Sequence, residues 1–299
     1  MAKFFLYNGN RAFEYSKLND CKTVLVVGGD SWSNRLHDAE RNWVRIIGIA
    51  KNYDAVIVCA DFGDSNKSIF KNLVSLFSYS SQHDWANSKN VSWMNRNFLE
   101  DKTIHAIIEW SSIIRDFSED TAWYRPFTWA SQPDWSQVNP DVYEEYISHI
   151  FQEKVYSYRT QLYSWQLQKY FERWNISYYF WMGFCNLVPE SAKGTDLDLR
   201  PFLNKDRWFN LYDSPGNMLD YLNYLDKNVL PEVTPAILTE GSVVGFEKSI
   251  DVIKNIYNKI KNNTSHQEGY FHRDLHPNGL GHQKIAETLL ERTKTLLIL

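Results

Sequence analysis

The stretch "KTVLVVGGDSWS", residues 22–33, sets the interpretation of the whole chain. Its β-branched and aliphatic residues run without interruption into two glycines, which is typical of a buried strand that ends in a tight turn. Ser31 follows that turn directly. The pattern therefore predicts a strand, a turn and then a helix, with the Ser31 hydroxyl exposed near the positive amino end of that helix.

Further apolar runs of the same kind predict four more strands. They are "DAVIVCADFG" at 54–63, "KTIHAIIEWSS" at 102–112, "ISYYFWMGF" at 176–184 and "RWFNLYD" at 207–213. Apolar residues at helical spacing lie between and after them, at about 38–50, 70–77, 140–174, 246–260 and 285–296. Strands that alternate with helices predict an α/β fold, with a parallel sheet of about five strands and helices on both faces.

An irregular aromatic segment interrupts this pattern after the strand predicted at 102–112. Residues 117–140 read "FSEDTAWYRPFTWASQPDWSQVNP", in a chain that is 16% aromatic and contains 12 Trp. Loops of this length usually cover a binding site or are disordered, and the Trp and Phe content argues against disorder. Trp123 and Trp129 are candidate platforms for stacking against sugar rings. Packing within the insertion is the alternative.

Composition excludes several classes of protein. The net charge is −4, and the Lys and Arg residues are scattered, so no basic stripe is available for nucleic acid. No apolar run reaches the roughly 18 residues of a membrane helix, and the amino-terminal stretch does not resemble a signal peptide. Cys21, Cys59 and Cys185 are isolated, which fits a reducing compartment or a virion. We expect a cytoplasmic or virion-associated protein.

A second motif, "GYFHRDLHPNGLGHQKIAETL" at 269–289, contains three histidines. A kinase catalytic loop would need Asn where Gly279 stands, and most of a second lobe would have to follow, whereas only about twenty residues remain. His272, Asp274 and His276, with His282 as a fourth candidate, are of the right types for zinc, but no second cluster elsewhere in the sequence completes a site. We expect neither a metal nor a cofactor. A structural histidine at the start of the last helix is one alternative, and the acid–base end of a serine hydrolase, with Ser31 as its nucleophile, is the other.

These two motifs together resemble the SGNH (GDSL) hydrolase superfamily. Gly29-Asp30-Ser31 follows a hydrophobic strand, and the run from His276 to Ala286 is similar to the family's H-P-N-x-x-G-H-x-x-I-A block. Between them, Gly63 stands where the family places an oxyanion-hole glycine, and its G-x-S-N form with Ser65 and Asn66 is similar to phage-encoded members. The resemblance implies a three-layer, flavodoxin-like fold in one domain. That domain would span 1–299, with an insertion at about 115–140 and extra segments at about 190–268.

The resemblance also implies roles for individual residues. Ser31 would be the nucleophile, His276 the general base, and Asp274 the residue that orients the imidazole. The backbone N–H groups of Ser31 and Gly63 would hold the oxyanion. The remaining candidates are Ser111 or Ser112 as a further oxyanion donor, and Trp32, Asn66, Trp123 and Trp129 as substrate contacts.

Two departures from the family pattern affect these roles. The family usually has Asp three residues before the catalytic His, whereas this position is Arg273 and Asp274 stands two residues before His276. That D-x-H spacing resembles the branch of the family that transfers or removes acetyl groups on polysaccharides. The third family block lacks its Asn and reads "EWSSIIRD", so Ser111 or Ser112 would substitute. Losing such a donor costs on the order of 10²–10³ in rate in a well-studied serine hydrolase.

Each predicted role has a structural alternative. Ser31 would suit the N-cap of the helix that follows it, and Asp274 would suit the N-cap of the last helix. Gly63 would suit a simple turn. The function we predict is a serine esterase or acetylesterase that hydrolyses or transfers a small acyl group, with an acetylated glycan as a natural substrate. A catalytically weakened scaffold that binds glycans or builds a virion is the alternative.

Overall fold

A five-stranded, all-parallel sheet forms the centre of the protein. The computed structural model describes residues 2–6, 18–34, 42–60, 64–78, 101–111, 153–225, 270 and 277–298. The strands are β1 (Lys3–Leu6), β2 (Thr23–Gly29), β3 (Ala55–Ala60), β4 (Thr103–Trp110) and β5 (Ser177–Met182). Their order across the sheet is β1-β3-β2-β4-β5.

The strand order puts the "TVLVVGG" strand in the middle of the sheet. On β2, Val27 pairs with Val58 of β3 on one side and with Ile107 of β4 on the other. Side chains of β2, β3 and β4 are buried on both faces, which explains why their sequences read as continuous apolar runs. The predicted α/β fold with a parallel sheet of five strands is confirmed, and the order from β3 to β5 is compatible with a flavodoxin-like layout.

One of the five predicted strands is wrong. Residues 207–213 do not form a strand but make a single parallel bridge between Trp208 and Phe180. A 3₁₀ turn at Lys205–Arg207 precedes this bridge, and Asn210 after it has a positive φ of 45°, so the extended segment is too short. The fifth strand is instead β1, a four-residue edge strand that was not predicted.

Helices cover both faces of the sheet. They are α1 (Ser31–Asn34), α2 (Trp43–Ala50), α3 (Asn66–Ser78), α4 (Glu153–Arg173), α5 (Met218–Leu225) and α6 (Gly279–Arg292). Apolar residues of α3 and α4 pack on one face, and those of α2, α5 and α6 pack on the other. We call these the α3–α4 face and the α2–α6 face.

The predicted helices are confirmed where the structure describes them. The helix predicted around 70–77 begins earlier, at Asn66, and the one predicted at about 285–296 begins at Gly279. The predicted helix at about 246–260 and the insertion at about 115–140 lie outside the described residues. Among the helices that are described, none is long and apolar enough to cross a membrane.

Two buried ionisable residues on the α2–α6 side respond to pH in opposite directions. His105, inside β4, lies with Nδ1 2.5 Å from the Tyr53 hydroxyl, and burial together with the charge of Lys51 lowers its pKa to about 4. Asp220 of α5 accepts a hydrogen bond from Asn217, and burial raises its pKa to about 6. The neutral form of each residue is therefore the one that the fold prefers.

The direction in which each residue changes the stability with pH follows from its pKa in the folded protein and its pKa in the unfolded chain. His105 contributes stability above about pH 6.5, and that stability is lost as the pH falls towards 4. Asp220 contributes stability only when protonated, so its contribution is lost as the pH rises from about 4 to about 6. In the interval from pH 4 to 6 the two contributions largely cancel.

Asp220→Asn should unmask the contribution of His105. Between pH 6.5 and 4.5 the free energy of unfolding of this variant should fall more than that of the wild type, by about 1–3 kcal/mol. His105→Asn is the matched control. Over the same pH interval its free energy of unfolding should fall less than that of the wild type, because only the Asp220 contribution remains. Urea unfolding at several pH values measures both, and curves parallel to the wild type would contradict the assignment.

Candidate active site

The Ser31 turn, residues 29–34, joins the end of β2 to the short helix α1. Asp30 caps this helix: its Oδ1 accepts the Trp32 N–H at 2.9 Å, and its carbonyl accepts the N–H groups of Ser33 and Asn34 at 3.0 Å. Ser31 is therefore the first helical residue, and the alternative that Ser31 is the N-cap is wrong. Asp30 therefore serves to shape the local backbone of the turn.

On the α3–α4 face, a buried polar network ties the turn to β4. The hydroxyl of Ser111, the residue after β4, donates to Asp30 Oδ2 at 2.7 Å. Asn66, the first residue of α3, accepts the Ser111 N–H at 2.7 Å and donates to the Ser111 carbonyl at 3.1 Å. The same amide nitrogen lies 3.0 Å from the hydroxyl of Thr160 on α4. All four residues are fully buried.

On the opposite face, a second contact ties the turn to the same strand. The Ser33 hydroxyl donates to Oε2 of Glu109, the last but one residue of β4, and both side chains are buried. The two residues meet where β2 carries Gly29, whose missing side chain leaves the space. The Ser31 turn is thus fixed to β4 from both sides, by Asp30 before the serine and by Ser33 after it.

Sequence reasoning missed the Ser33–Glu109 pair, although β4 contains a signal for it. A carboxylate inside a buried parallel strand rarely occurs without a partner. Glu109 is such a residue in "TIHAIIEW", and Ser33 stands two positions after the candidate nucleophile. No local pattern joins them because they are 76 positions apart in the sequence.

Three of the predicted site residues are buried in structural contacts. Trp32 has no exposed surface and packs against Phe184, with ring centroids 4.6 Å apart. Asn66 and Ser111 bond each other as described, and the Ser111 proton is directed at Asp30. In this arrangement neither Trp32 nor Asn66 faces a substrate, and the Ser111 hydroxyl does not point at an oxyanion. A direct role for these three in binding or catalysis stays a prediction that their burial does not favour.

The start of α6 was predicted as the second half of the site. Asn278 caps this helix, with its Oδ1 accepting the Gly281 N–H at 2.9 Å. The alternative that Asp274 is the N-cap is therefore wrong. The Tyr270 carbonyl accepts the Asn278 N–H at 2.9 Å, so Tyr270 lies next to the first turn of α6.

The direction of α6 places that first turn relative to the sheet. Near its far end, the carbonyl of Leu297 accepts a hydrogen bond from Lys51 at 3.1 Å, and Lys51 lies just before β3 begins. A helix of 14 residues is about 21 Å long, so α6 runs back across the sheet. Its amino end therefore lies at the carboxyl edge of the strands, the edge at which the Ser31 turn also lies.

Several predicted site residues lie outside the described part of the chain. They are Gly63, Ser112, Trp123, Trp129, Asp274 and His276. Their roles stay predictions. The histidines of the alternative metal site, His272 and His276, lie outside it as well. Within the residues that are described, no group of three His, Cys, Asp or Glu side chains is placed to hold a metal ion.

Replacing Gly29 with Ala should disrupt the turn. The new Cβ would clash with the Ser33 side chain and lie 2.7 Å from Oε2 of Glu109, so these side chains must move, and we expect their contact to break. We expect a loss of about 2–4 kcal/mol in the free energy of unfolding, as for overpacking combined with a broken buried polar pair.

Gly28→Ala is the matched control for this change. Its Cβ would meet the terminal methyls of Leu73 on the α3–α4 face, which can move, so the expected loss is about 1 kcal/mol. Chemical denaturation compares the two variants. Equal losses would show that the Ser33–Glu109 contact does not fix the turn.

No protein-family model matches this chain, and no curated protein matches it either. The resemblance to SGNH hydrolases therefore rests on the quoted motifs, and the proposal that follows rests on those motifs and on the geometry of the turn and of α6.

Proposed function

We propose that this protein is a serine esterase of the SGNH type, which removes or transfers a small acyl group such as acetyl. One observation carries the proposal: the Ser31 turn and the start of α6, which follows His276 by three residues, lie at the same edge of the sheet. The capping contacts add support. Asp30 and Asn278 serve as the helix N-caps, so capping does not explain why Ser31 and Asp274 are present.

The proposed reaction passes through an acyl-enzyme. Ser31 Oγ attacks the ester carbonyl carbon while His276 takes the hydroxyl proton, and the carbonyl oxygen becomes the oxyanion. When the intermediate collapses, the C–O bond to the alcohol breaks and His276 returns the proton to the leaving alcohol. Water, or a second alcohol in a transferase, then attacks the acyl-enzyme in the same way. Asp274 orients the imidazole and stabilises its charged form.

Backbone donors hold the oxyanion in this proposal. The donors are the N–H groups of Ser31 and Gly63. The Ser111 hydroxyl is not counted among them because it donates its proton to Asp30. A hole that lacks the side-chain donor of the family should turn over about 10²–10³ times more slowly than a complete one. Slow hydrolysis of small activated esters is therefore the expected behaviour.

An acetylated carbohydrate is the substrate class that the chain favours. Ligands of parallel α/β sheets bind outside the carboxyl ends of the strands, where the Ser31 turn lies. The aromatic insertion that contains Trp123 and Trp129 follows β4 directly in the sequence, and Trp side chains stack well on the apolar faces of sugar rings. The D-x-H spacing of Asp274 and His276 adds the resemblance to acetyl-transferring relatives.

A non-catalytic glycan-binding protein is the second candidate. The observation that favours it is the contact between Ser111 and Asp30, which withdraws the predicted side-chain donor Ser111 from catalysis. Such a protein would keep the aromatic binding surface and lose the reactive serine. The two candidates differ in whether Ser31 is nucleophilic.

Labelling with a fluorophosphonate probe tests the proposed function. Wild-type protein should react at Ser31, and the reaction should fall at least about 10²-fold in His276→Ala, because the serine is then without its base. Peptide mass spectrometry locates the adduct, and Ser33 serves as an internal control two positions away.

Two results would reject the proposed function. One is folded wild-type protein that takes up no label between pH 7 and 9. The other is an adduct that forms equally well in His276→Ala. Binding of acetylated glycans by protein that does not label would favour the second candidate.

A further inference from the structure

We propose that Asn66 and Thr160 are positioning residues of the active centre: through Ser111 and Asp30 they set the orientation of the Ser31 backbone N–H, one of the proposed donors to the oxyanion. This inference rests on the proposed function and deepens it. The Asp30–Thr160 network consists of Thr160, Asn66, Ser111 and Asp30. It extends without a break from α4 to the Ser31 turn.

The direction of each hydrogen bond in the network is fixed. The Thr160 hydroxyl donates to the Tyr156 carbonyl at 3.2 Å, so it can only accept from Asn66. Asn66 must then turn its amide nitrogen to Thr160 and its oxygen to the Ser111 N–H. Ser111 in turn donates to Asp30, whose other oxygen accepts the Trp32 N–H. A buried network in which every member has its partner is rigid.

Ser31, one of the two proposed oxyanion donors, adjoins this network. Ser31 lies between Asp30 and Trp32, the two residues that the final bond of the network joins. Residue 63 is three positions before Asn66, and Ser65 between them caps α3 by accepting the Ser68 N–H at 3.1 Å. Asn66 holds the end of β4 against the start of α3, and Ser111 holds the same end of β4 to the turn after β2. The family motif predicts Asn66 as a substrate contact. Its hydrogen bonds indicate instead that it acts on the site indirectly, through Ser111 and Asp30.

The test separates positioning from stability by comparing two hydroxyl deletions on the same helix. Thr160→Val keeps the shape of the side chain and removes the acceptor of the Asn66 amide. Ser164→Ala, one turn further along α4, removes a buried hydrogen bond of similar kind, from Ser164 Oγ to the Thr160 carbonyl at 2.8 Å. Ser164 contacts only the backbone carbonyl of Thr160, and no described hydrogen bond joins it to the Thr160 hydroxyl, Asn66, Ser111 or Asp30, so it controls for loss of stability.

The readout is the rate of fluorophosphonate labelling at Ser31 as a function of probe concentration. In Thr160→Val the maximal rate constant should fall about 10–100-fold while the half-saturating concentration stays within about twofold, because small displacements of catalytic groups act on the chemical step. Asn66→Asp, which cannot donate to Thr160 or to Ser111, should lose at least as much. Thr160→Ser restores the hydroxyl and should recover most of the rate, and Ser164→Ala should label like the wild type.

Distinct results overturn the inference and the proposed function. If wild-type protein labels and Thr160→Val labels at the same rate, the network does not position the Ser31 donor and only the inference falls. A parallel fall in Thr160→Val and Ser164→Ala would assign the effect to stability and would also overturn the inference. If wild-type protein does not label at all, the proposed function fails and the inference fails with it. Should Thr160→Val not fold, the comparison of Thr160→Ser with Asn66→Asp decides.

Discussion

The hydrogen bond between Ser111 and Asp30 is the contact on which the arrangement of the carboxyl edge depends. It joins the end of β4 to the turn after β2, and it does so in a region without exposed surface. A buried carboxylate costs free energy unless it is hydrogen-bonded, so Asp30 holds its partners firmly. Because Asp30 also caps α1, the same residue sets both the position of the turn and the start of the helix.

The sheet makes this arrangement possible by placing β4 next to β2. When the ends of two strands are adjacent, side chains that follow one strand can hydrogen-bond with side chains of the other. Here such hydrogen bonds form on both faces of the sheet. Ser111 reaches Asp30 on the α3–α4 face, and Glu109 receives Ser33 on the α2–α6 face. Ser31 and Trp32 lie between the two anchored positions of the turn, Asp30 and Ser33. A rigid turn at the carboxyl edge of a parallel sheet would suit the acyl-transfer centre that we propose at Ser31.

The sequence predicted those parts of the fold that depend on buried strands. β2 to β5 have continuous apolar runs because neighbours cover both of their faces, whereas β1 is four residues long and half exposed, so it has no such signal. The motif at Ser31 and the helix start after His276 were also predictable. The partners of Asn66 were not, because Ser111 is 45 and Thr160 is 94 positions away, and no local pattern reports such distances.

The proposed function requires that Ser31 and His276 meet at the carboxyl edge of the sheet and that backbone N–H groups bind the oxyanion there. The most direct test is a crystal structure of the protein treated with a small phosphonate inhibitor. We expect phosphorus bonded to Ser31 Oγ, a phosphonyl oxygen within about 3.2 Å of the N–H groups of Ser31 and Gly63, and the His276 ring beside the adduct. An unmodified Ser31, or a His276 ring beyond hydrogen-bonding reach of it, would rule out this arrangement.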